Sequence, residues 1–471
     1  MNEIDYLYQD KLNEECGVFG VINVHNSQEV MYYGLHSLQH RGQEGCGIVS
    51  TDGKKFFQVK GEGLVTEVFN EYNLKELQCE AAIGHVRYST SGGGGIENVQ
   101  PFLFRHTTGD FALCHNGNLV NSKELRRELE IHGSIFQSTS DSEIFAHLLK
   151  KDTQKDRQQA IKDALNQIEG AFAFLALDNE KLYIMRDKNS LRPLSLAKLN
   201  GGYVVSSETC AFEVVGATFI RDIYPGEILT IDKFGKMISD RYAEKTYDNL
   251  CAMEYIYFSR PDSDLEGKNV HASRKEAGKI LAREAPVEAD VVVWVPDSST
   301  SASIGFAEES KIPSEMGLIK NKYVGRTFIQ PSQAMREKGV KMKLSAIPSI
   351  VSGKRVVVID DSLVRGTTSK KIVKLLRDAG ALEVHMRIAS PPITHPCVYG
   401  VDTSTYDELL AAKYSVEEIR KIIDADSLAY LSEAGILKAC GRKKMCLSCF
   451  NGKYPTYLYH AIKDINKDGK F

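Results

Sequence analysis

Four consecutive apolar residues, 356–359, end at two adjacent carboxylates, Asp360 and Asp361. A continuous apolar run of this length is typical of a strand buried on both faces, as in a parallel sheet that helices cover on both sides. Residues 365–369 follow as a short hydroxyl-rich turn that leads into a helical pattern. Because open α/β sheets bind ligands at the carboxyl ends of their strands, this segment predicts both the class of one domain and the position of its site.

The surrounding second half repeats this pattern of continuous apolar runs separated by helical segments. Residues 291–295, 355–359 and 383–388 are predicted strands of the buried type. Between the last two, apolar residues recur at helical spacing until Gly380, which predicts a helix that ends there. A strand, a helix and a second strand in this order form a βαβ unit, so the second half is predicted to be an α/β domain with a parallel sheet.

The first half, from residue 16 to about residue 242, shows short alternating segments broken by turns, which is typical of antiparallel sheet. Predicted strands cover residues 16–23, 45–50, 81–88 and 111–113. Two helices are predicted, one capped at Asn121 and running to Gly133, and one over residues 140–150. We therefore expect an α+β domain whose boundary to the second half lies near residues 245–255.

Length and charge narrow the class of protein. The 471 residues are enough for two or three domains, each with its own core. The formal net charge of -3, from 59 basic and 62 acidic residues, provides no global attraction to nucleic acid or to an anionic membrane. The longest apolar stretches fall far short of the roughly 20 residues of a membrane span. Residues 1–15 carry five acidic side chains and one lysine, unlike a secretory signal, so we expect a cytoplasmic protein with reduced cysteines.

The turn after Asp360 and Asp361 lies where a helix begins, and free backbone N–H groups at a helix N-terminus favour a phosphate. From the residues alone, a surface acidic turn followed by a capped helix is the alternative. The strand, the paired acids and the hydroxyl-rich turn in this order resemble the signature of the type I phosphoribosyltransferases. The resemblance implies that the two acids hold the ribose hydroxyls of phosphoribosyl pyrophosphate and organise Mg2+. It also implies that the 5-phosphate binds to Arg365, Gly366, Thr367, Thr368 and Ser369.

A second loop, residues 295–301, also follows a buried strand and leads into a helix expected to start near Ala302. Such a loop can offer backbone N–H groups to an anion, although a simple capped helix start would look the same. The resemblance implies a diphosphate loop in which Ser298 is a Mg2+ ligand. Residues 320–343 contain seven basic side chains and one acidic one, and residues 323–329 within them resemble the mobile lid of one such enzyme.

Five residues of the first half suit a substrate with a carboxylate, an ammonium and an amide carbonyl. Cys16 is a small nucleophile directly ahead of a strand, and Arg87 at a strand end suits a carboxylate. Asn116 and Gly117 offer a side-chain amide and a backbone N–H, the composition of an oxyanion hole. Asp141 supplies a carboxylate for an ammonium group. The loop of residues 40–43 is a further segment that suits such a substrate. Taken singly, each of these residues more often has a structural role.

Together and in this order, these residues resemble the N-terminal-nucleophile glutaminases, which have an αββα fold. The resemblance implies that the Cys16 thiolate attacks the glutamine amide while its own freed α-amine acts as general base. It implies that Asn116 and Gly117 stabilise the oxyanion, and that Arg87 and Asp141 bind the glutamine backbone. Since Cys16 is not the first residue of this chain, residues 1–15 are expected to be a propeptide removed by autocleavage.

A glutaminase domain at residues 16–245 followed by a phosphoribosyltransferase domain at residues 246–471 resembles the family of glutamine phosphoribosyl pyrophosphate amidotransferases. The implied reaction turns glutamine, phosphoribosyl pyrophosphate and water into 5-phosphoribosylamine, diphosphate and glutamate. This is the first committed step of de novo purine nucleotide biosynthesis. The resemblance further implies a homotetramer that purine nucleotides inhibit. Two other classes remain to be tested: a glutaminase that feeds another acceptor, and a non-catalytic nucleotide-sensing or iron–sulfur protein.

The ten cysteines include a CxxC pair, Cys446 and Cys449, of a type found in metal and redox sites. Cys251 and Cys397 could complete a set of four thiolates, and by ligand type alone such a set suits zinc as well as iron. One branch of the family holds a [4Fe-4S] cluster with four cysteines so placed, which implies the same structural cluster here. Cys440 lies near the pair, and the remaining thiols are expected to be buried: Cys46, Cys79, Cys114 and Cys210.

Overall fold

The computed structural model describes residues 16–77, 79–88, 95–106, 109–150, 156–321, 344–401, 403 and 405–459. The expected propeptide, residues 1–15, and the expected lid, residues 323–329, lie outside the described residues. Within the described part of the chain, no helix is long and apolar enough to cross a membrane.

The first half contains two antiparallel sheets. Their strands are β1 (Gly17–Ile22), β2 (Gly45–Thr51), β3 (Phe56–Glu62), β4 (Ala81–Arg87), β5 (Phe102–Phe104), β6 (Phe111–Leu119), β7 (Gly170–Leu177), β8 (Lys181–Arg186), β9 (Ser195–Leu199), β10 (Gly202–Ser206), β11 (Thr218–Asp222), β12 (Glu227–Asp232) and β13 (Met237–Arg241). The described strands lie in the order β11-β9-β10-β1-β4-β2-β3 in one sheet and β13-β12-β8-β7-β6-β5 in the other.

Helices cover the outer face of each sheet. The helices of this half are α1 (Ser27–Ser37), α2 (Val65–Val68), α3 (Glu71–Glu76), α4 (Ser122–Ile131), α5 (Ser142–Lys150), α6 (Arg157–Leu165) and α7 (Cys210–Val215), with a 3-10 turn at Ile96–Asn98. Alternate residues of β1 explain the layers, since Val18 joins the core between the sheets while Phe19 packs in the core that contains Met31 of α1. Phe145 of α5 packs in a third core against β7. The order helix, sheet, sheet, helix confirms the expected αββα fold.

The helices and strands of the first half differ in part from those predicted from the sequence. Helices α4 and α5 match the two predicted helices to within a few residues, whereas α1 and α6 were not predicted. The strand predicted at residues 111–113 extends to Leu119, so Asn116 and Gly117 lie in a strand and not in a loop. The reason is that β6 pairs with β7 from Ala112 to Leu119, and this backbone ladder outweighs the loop-like composition of the segment.

The second half is built on a parallel sheet. Its strands and helices are β14 (Asp264–Leu265), β15 (Lys268–Asn269), α8 (Val270–Glu284), β16 (Val291–Trp294), α9 (Thr300–Ser310), β17 (Leu318–Lys320), β18 (Leu344–Ala346), α10 (Pro348–Val351), β19 (Arg355–Asp360), α11 (Thr367–Asp378), β20 (Glu383–Ile388), α12 (Leu410–Lys413), α13 (Val416–Ile423), β21 (Ser427–Tyr430), α14 (Glu433–Ala439) and α15 (Ser448–Asn451). A π-helical turn at Glu254–Phe258 precedes them, and a 3-10 turn lies at Tyr406–Glu408. The described strands of the main sheet lie in the order β16-β19-β20-β21, all parallel, as expected.

Both faces of this sheet are covered. On strand β19, Val357 and Ile359 join the core that contains α8 and α9, while Val356 and Val358 join the core that contains α11 and α13. A strand with helices on both faces has no solvated side, which explains why its sequence is continuously apolar. The same arrangement leaves only the end of the strand open, where Asp360 and Asp361 lie.

Helices α8 and α9 approach each other closely through two glycines. A Cβ atom on Gly278 would lie 1.8 Å from the carbonyl oxygen of Ala302, and one on Gly305 would lie 1.8 Å from the carbonyl oxygen of Lys275. The absence of side chains at these two positions therefore sets the distance between the helices. Because α9 begins directly after the loop that carries Ser298, the contact also fixes that loop against β19.

We predict that Gly278→Ala destabilises the protein by about 1–3 kcal/mol, since the added methyl group overpacks a rigid backbone contact. This cost outweighs the gain of about 1 kcal/mol that alanine brings in helix propensity. The free energy of unfolding in urea measures the effect, with Ala272→Gly at an exposed position of α8 as the control for propensity alone. A Gly278→Ala protein more stable than the parent would contradict this account of the packing.

Candidate active sites

Cys16 lies at the start of β1, beside the end of the neighbouring strand β4. Its Sγ atom donates to the carbonyl oxygen of Tyr88 at 3.4 Å, and its own carbonyl oxygen accepts a hydrogen bond from Arg41 Nε at 3.0 Å. Because Tyr88 directly follows Arg87 at the end of β4, the thiol and the arginine predicted to bind a carboxylate share one end of the sheet. Cys16 is half-buried.

Asn116 and Gly117 lie on β6 of the facing sheet. Asn116 is buried, and its Nδ2 atom has no hydrogen-bond acceptor among the described residues. Gly117 has φ +144°, and a Cβ atom there would lie 2.0 Å from the carbonyl oxygen of Ala171. A buried N–H donor without an acceptor is costly in a folded protein and is typical of a site that a ligand completes.

A buried histidine pair joins the two sheets at this place. His85 Nε2 donates to the carbonyl oxygen of His115 at 3.1 Å, which ties β4 to β6 close to Arg87 and Asn116. Burial lowers the pKa of His85 to about 3, so the ring is neutral at physiological pH. This pair is not predictable from the sequence, because nothing local to either histidine indicates the other.

Asp141 precedes α5 and is nearly buried. Its Oδ2 atom accepts from the backbone N–H of Leu119 at 2.8 Å, so it lies beside the end of β6. Ser142 adds a hydroxyl 3.4 Å from Oδ1, and His115 Nδ1 lies 2.9 Å from the same hydroxyl. These contacts gather the predicted glutamine-site residues at one end of the two sheets.

A buried charge cluster next to Cys16 was only partly anticipated. The sequence indicates the loop of residues 40–43 as a further segment of the glutamine-site type, but the partners of Arg41 come from distant parts of the chain. Arg41 donates to Glu208 at 2.7 Å and to both carboxylate oxygens of Glu254 at 2.9 and 2.8 Å. His40 Nε2 lies 2.7 Å from Glu208. Burial alone would raise the pKa of Glu208, but the charges of His40 and Arg41 hold it well below its usual range.

The second site lies at the carboxyl ends of β16 and β19, which pair in parallel. Asp360 and Asp361 are 3% and 4% exposed, so both carboxylates are almost enclosed. Ser298 donates its hydroxyl hydrogen bond to Asp361 Oδ2, and the hydroxyl of Ser299 lies 3.2 Å from Asp360 Oδ1. The structure thus joins the two loops that the sequence analysis had treated separately.

The predicted phosphate loop leads into α11. Gly366 lies at the N-cap with φ 78°, a conformation that favours glycine, and Thr367 and Thr368 open the helix. Ser369 is buried in the first turn. Arg365 forms an ion pair with Glu408 at 2.9 Å, so its charge is already balanced on one side.

A second arginine, missed in the sequence, faces this site from α8. Arg274 is buried and donates to the carbonyl oxygens of Tyr255 at 2.6 Å and Ser259 at 2.8 Å. It lines one cavity together with Ser298 and Asp361. Burial lowers the pKa of Arg274 to about 10, which leaves the guanidinium charged at neutral pH.

Four cysteines line one cavity: Cys251, Cys397, Cys446 and Cys449. The backbones of two of them are joined directly, because Cys251 and Cys446 form a parallel β-bridge. Burial raises the pKa of the Cys397 thiol to about 11 and also raises the pKa values of Cys446 and Cys449. Cys440 lines the other cavity, beside Arg274.

The other thiols largely follow expectation. Cys46, Cys114 and Cys210 are buried, whereas Cys79 is half-buried and not fully enclosed. Throughout the described ranges, no three or more His, Cys, Asp or Glu side chains form a group that could hold a metal ion.

Comparisons with known proteins agree with this geometry. A family model described as a glutamine amidotransferase domain matches residues 85–214. The amidophosphoribosyltransferase of Bacillus subtilis is 58% identical over 455 residues, which cover 95% of each chain. That of Staphylococcus aureus is 50% identical over 456 residues, covering 95% of this chain and 92% of the relative. This chain belongs to the amidophosphoribosyltransferase family.

Two solved structures share the whole architecture of this amidophosphoribosyltransferase family member. One is the glutamine phosphoribosylpyrophosphate amidotransferase of B. subtilis complexed with ADP and GMP, with a TM-score of 0.91 and 56% identity over 94% of this chain and 98% of that one. The other is described as the allosteric regulatory enzyme of purine biosynthesis, with a TM-score of 0.91 and 57% identity over 94% and 97% of the two chains. The order of a glutaminase fold before a phosphoribosyltransferase fold is therefore confirmed.

We predict that iodoacetamide labels Cys16 before the other cysteines at near-neutral pH. The thiolate is the reactive form, and burial raises the pKa of Cys46, Cys79 and Cys440 to about 12, which leaves them almost wholly protonated. Peptide mapping by mass spectrometry measures the order of labelling. The Cys16→Ala variant should lack the fast step, and equal labelling of Cys397 and Cys16 in the native protein would refute the prediction.

Proposed function

We propose that the protein makes 5-phosphoribosylamine, diphosphate and glutamate from phosphoribosyl pyrophosphate, glutamine and water. The proposal makes it the enzyme of the first committed step of purine nucleotide biosynthesis. One observation carries the proposal. This chain is 58% identical to an amidophosphoribosyltransferase over 95% of its length, and it has Cys16 and the Asp360–Asp361 pair at the ends of strands in two different sheets.

Each half of the chain is proposed to catalyse one of the two reactions. Residues 16–245 form the glutaminase domain, and residues 246–471 form the phosphoribosyltransferase domain with the cysteine-lined segment near its end. Residues 1–15 are a propeptide whose removal frees the α-amine of Cys16. The separate cores of the two antiparallel sheets and of the parallel sheet support this division.

In the glutaminase reaction, the Cys16 thiolate attacks the carboxamide carbon of glutamine, and the freed α-amine of Cys16 accepts the thiol proton. The Nδ2–H of Asn116, which has no acceptor among the described residues, and the backbone N–H of Gly117 donate to the oxyanion. The proton returns to the leaving nitrogen, ammonia departs, and water hydrolyses the thioester to glutamate. Arg87 binds the substrate carboxylate, and Asp141 binds its ammonium group.

In the transferase reaction, ammonia attacks the sugar carbon that carries the diphosphate, and the bond to diphosphate breaks. Asp360 and Asp361 hold the ribose hydroxyls, and residues 365–369 bind the 5-phosphate through the first turn of α11. The two carboxylates and the Ser298 hydroxyl would hold Mg2+, which prefers hard oxygen ligands and often shares them with substrate phosphates. When bound, the ion would supply positive charge to the leaving diphosphate. Arg274 adds a positive charge at the wall of the cavity that contains Ser298 and Asp361.

The four cavity-lining cysteines are proposed to hold a structural [4Fe-4S] cluster. A zinc ion needs all four sulfurs at about 2.3 Å from one point, whereas a cluster separates them. The support is that the four thiols line one cavity, as ligands of one shared group would. The proposed reaction moves no electrons, so these residues contribute structure and not redox chemistry.

Regulation and assembly complete the proposal. Purine nucleotides are proposed to inhibit the enzyme, and the support is that a structure with a TM-score of 0.91 to this chain was solved with ADP and GMP bound. The active form is proposed to be a homotetramer. A regulatory protein without catalysis is the alternative class, and it would leave the arrangement of Cys16, Asn116 and Asp141 without a role.

The decisive experiment separates the two nitrogen sources. In Cys16→Ala, glutamine-dependent synthesis should fall by more than about 1,000-fold, while synthesis from ammonium salts at alkaline pH should stay within about twofold of the parent. The reason is that neutral ammonia needs only the second site. Asp361→Asn should lower both rates, because it changes the shared acceptor site. A folded Cys16→Ala protein that loses ammonia-dependent synthesis would refute the two-site assignment.

The cofactor proposal predicts a brown, oxygen-sensitive protein with about four irons per chain after anaerobic purification. Metal analysis and the visible absorption spectrum measure this, and Cys449→Ser should lower the iron content. Stoichiometric zinc without iron in active protein would contradict it. The intact mass of the same preparation tests whether residues 1–15 have been removed.

A further inference from the structure

The backbone of Cys16 is tied to the second half of the chain through one arginine. Arg41 Nε donates to the Cys16 carbonyl oxygen at 3.0 Å. The other two nitrogens of the same guanidinium bind Glu254, which lies in the π-helical turn at the start of the second proposed domain. Arg41, Glu208 and Glu254 are each at most 1% exposed, so water cannot replace any of these contacts.

We propose that Arg41 positions Cys16 for attack on glutamine, and that the carboxylate of Glu254 holds Arg41 in that position. The glutamine site is then incomplete until the second half supplies Glu254. This inference rests on the proposed function and adds two positioning residues to it, neither of which touches the substrate.

The geometry gives Arg41 little freedom. A planar guanidinium that binds a carboxylate with two nitrogens has a fixed orientation, and this orientation aims the remaining Nε–H. Glu254 is itself held by the hydroxyl of Ser259 at 2.8 Å, and Glu208 by the hydroxyl of Ser263 at 2.7 Å. The direction of the Cys16 carbonyl therefore depends on carboxylates that other hydrogen bonds have already fixed.

The contacts continue to the second active site. The carbonyl oxygens of Tyr255, within the turn that Glu254 begins, and of Ser259, directly after it, both accept from Arg274. Arg274 lines the cavity that also contains Asp361. Arg41 and Arg274 thus both bind this turn: Arg41 also binds the Cys16 carbonyl, and Arg274 lines the cavity that contains Asp361.

The test compares glutamine-dependent with ammonia-dependent synthesis in Glu254→Gln and Arg41→Lys. Lysine keeps the charge, but its single nitrogen cannot bind Cys16 and two carboxylates in fixed directions. Each variant should lower the glutamine-dependent kcat by about 10- to 100-fold, the effect of a misplaced reacting group. The KM for glutamine and the ammonia-dependent rate should change by less than about threefold, since Arg87, Asp141 and the second site are intact.

The matched control is Glu266→Gln. Glu266 also pairs with a buried arginine of the first half, Arg186, at 2.6 Å, but the other hydrogen bonds of Arg186 go to the carbonyl oxygens of Ser190, Arg192 and Ile223. In this control variant, the ratio of the glutamine-dependent rate to the ammonia-dependent rate should equal that of the parent protein. The double variant Arg41→Lys/Glu254→Gln should be no worse than the poorer single variant, because the two residues act as a unit.

Selective loss of the glutamine-dependent rate supports the proposal. Two parental rates overturn the proposal. An equal proportional loss of both rates also overturns it, and this includes a loss that comes from misfolding of Arg41→Lys. Failure of the proposed function would look different, because the unmodified protein would then not turn over glutamine or would not depend on Cys16.

Discussion

The arrangement of the whole molecule depends on buried charges that only balance when distant parts of the chain come together. Arg41 has no access to water and is neutralised by Glu208 and Glu254, while Arg192 lies 3.6 Å from Glu254. A buried charge without its partner costs about 3–5 kcal/mol. Glu208 is one partner of Arg41 within the two-sheet half, and docking of the turn at Glu254–Phe258 supplies the second carboxylate, which links the first site to the second half.

Both candidate sites lie at strand ends, but for different reasons. In the parallel sheet, helices cover both faces, so the carboxyl edge is the place where Asp360, Asp361 and the Ser298 loop can meet. In the antiparallel pair of sheets, the site lies where β1, β4 and β6 end side by side. There the pairing of β6 with β7 puts Asn116 at a fixed position, which a loop of the same composition would not do.

The cysteine-lined cavity lies against the same end of β6. Asn118 Nδ2 donates to the carbonyl oxygen of Val398 at 2.8 Å, and Arg192 donates to the carbonyl oxygen of Tyr399, so the segment after Cys397 packs directly beside Gly117. Cys251 is joined to the first half as well, through its N–H bond to the carbonyl oxygen of Leu191 at 3.2 Å. The proposed cluster therefore supports the docking of the two halves, in a second place besides Glu254.

The sequence by itself determined the features that depend on local order: the apolar run before Asp360, the βαβ unit and the α+β class of the first half. These follow from side-chain periodicity, which neighbouring residues encode. The order of the motifs indicated the αββα fold and the candidate residues of both sites only through resemblance to known families. Only the tertiary structure decided that Asn116 lies in a strand, that Arg274 faces Asp361, and that Arg41 and Glu254, 213 residues apart, share one ion pair. Such contacts were not predictable from the chain alone, because pairing between distant segments depends on how whole sheets pack and leaves no periodic pattern in either segment.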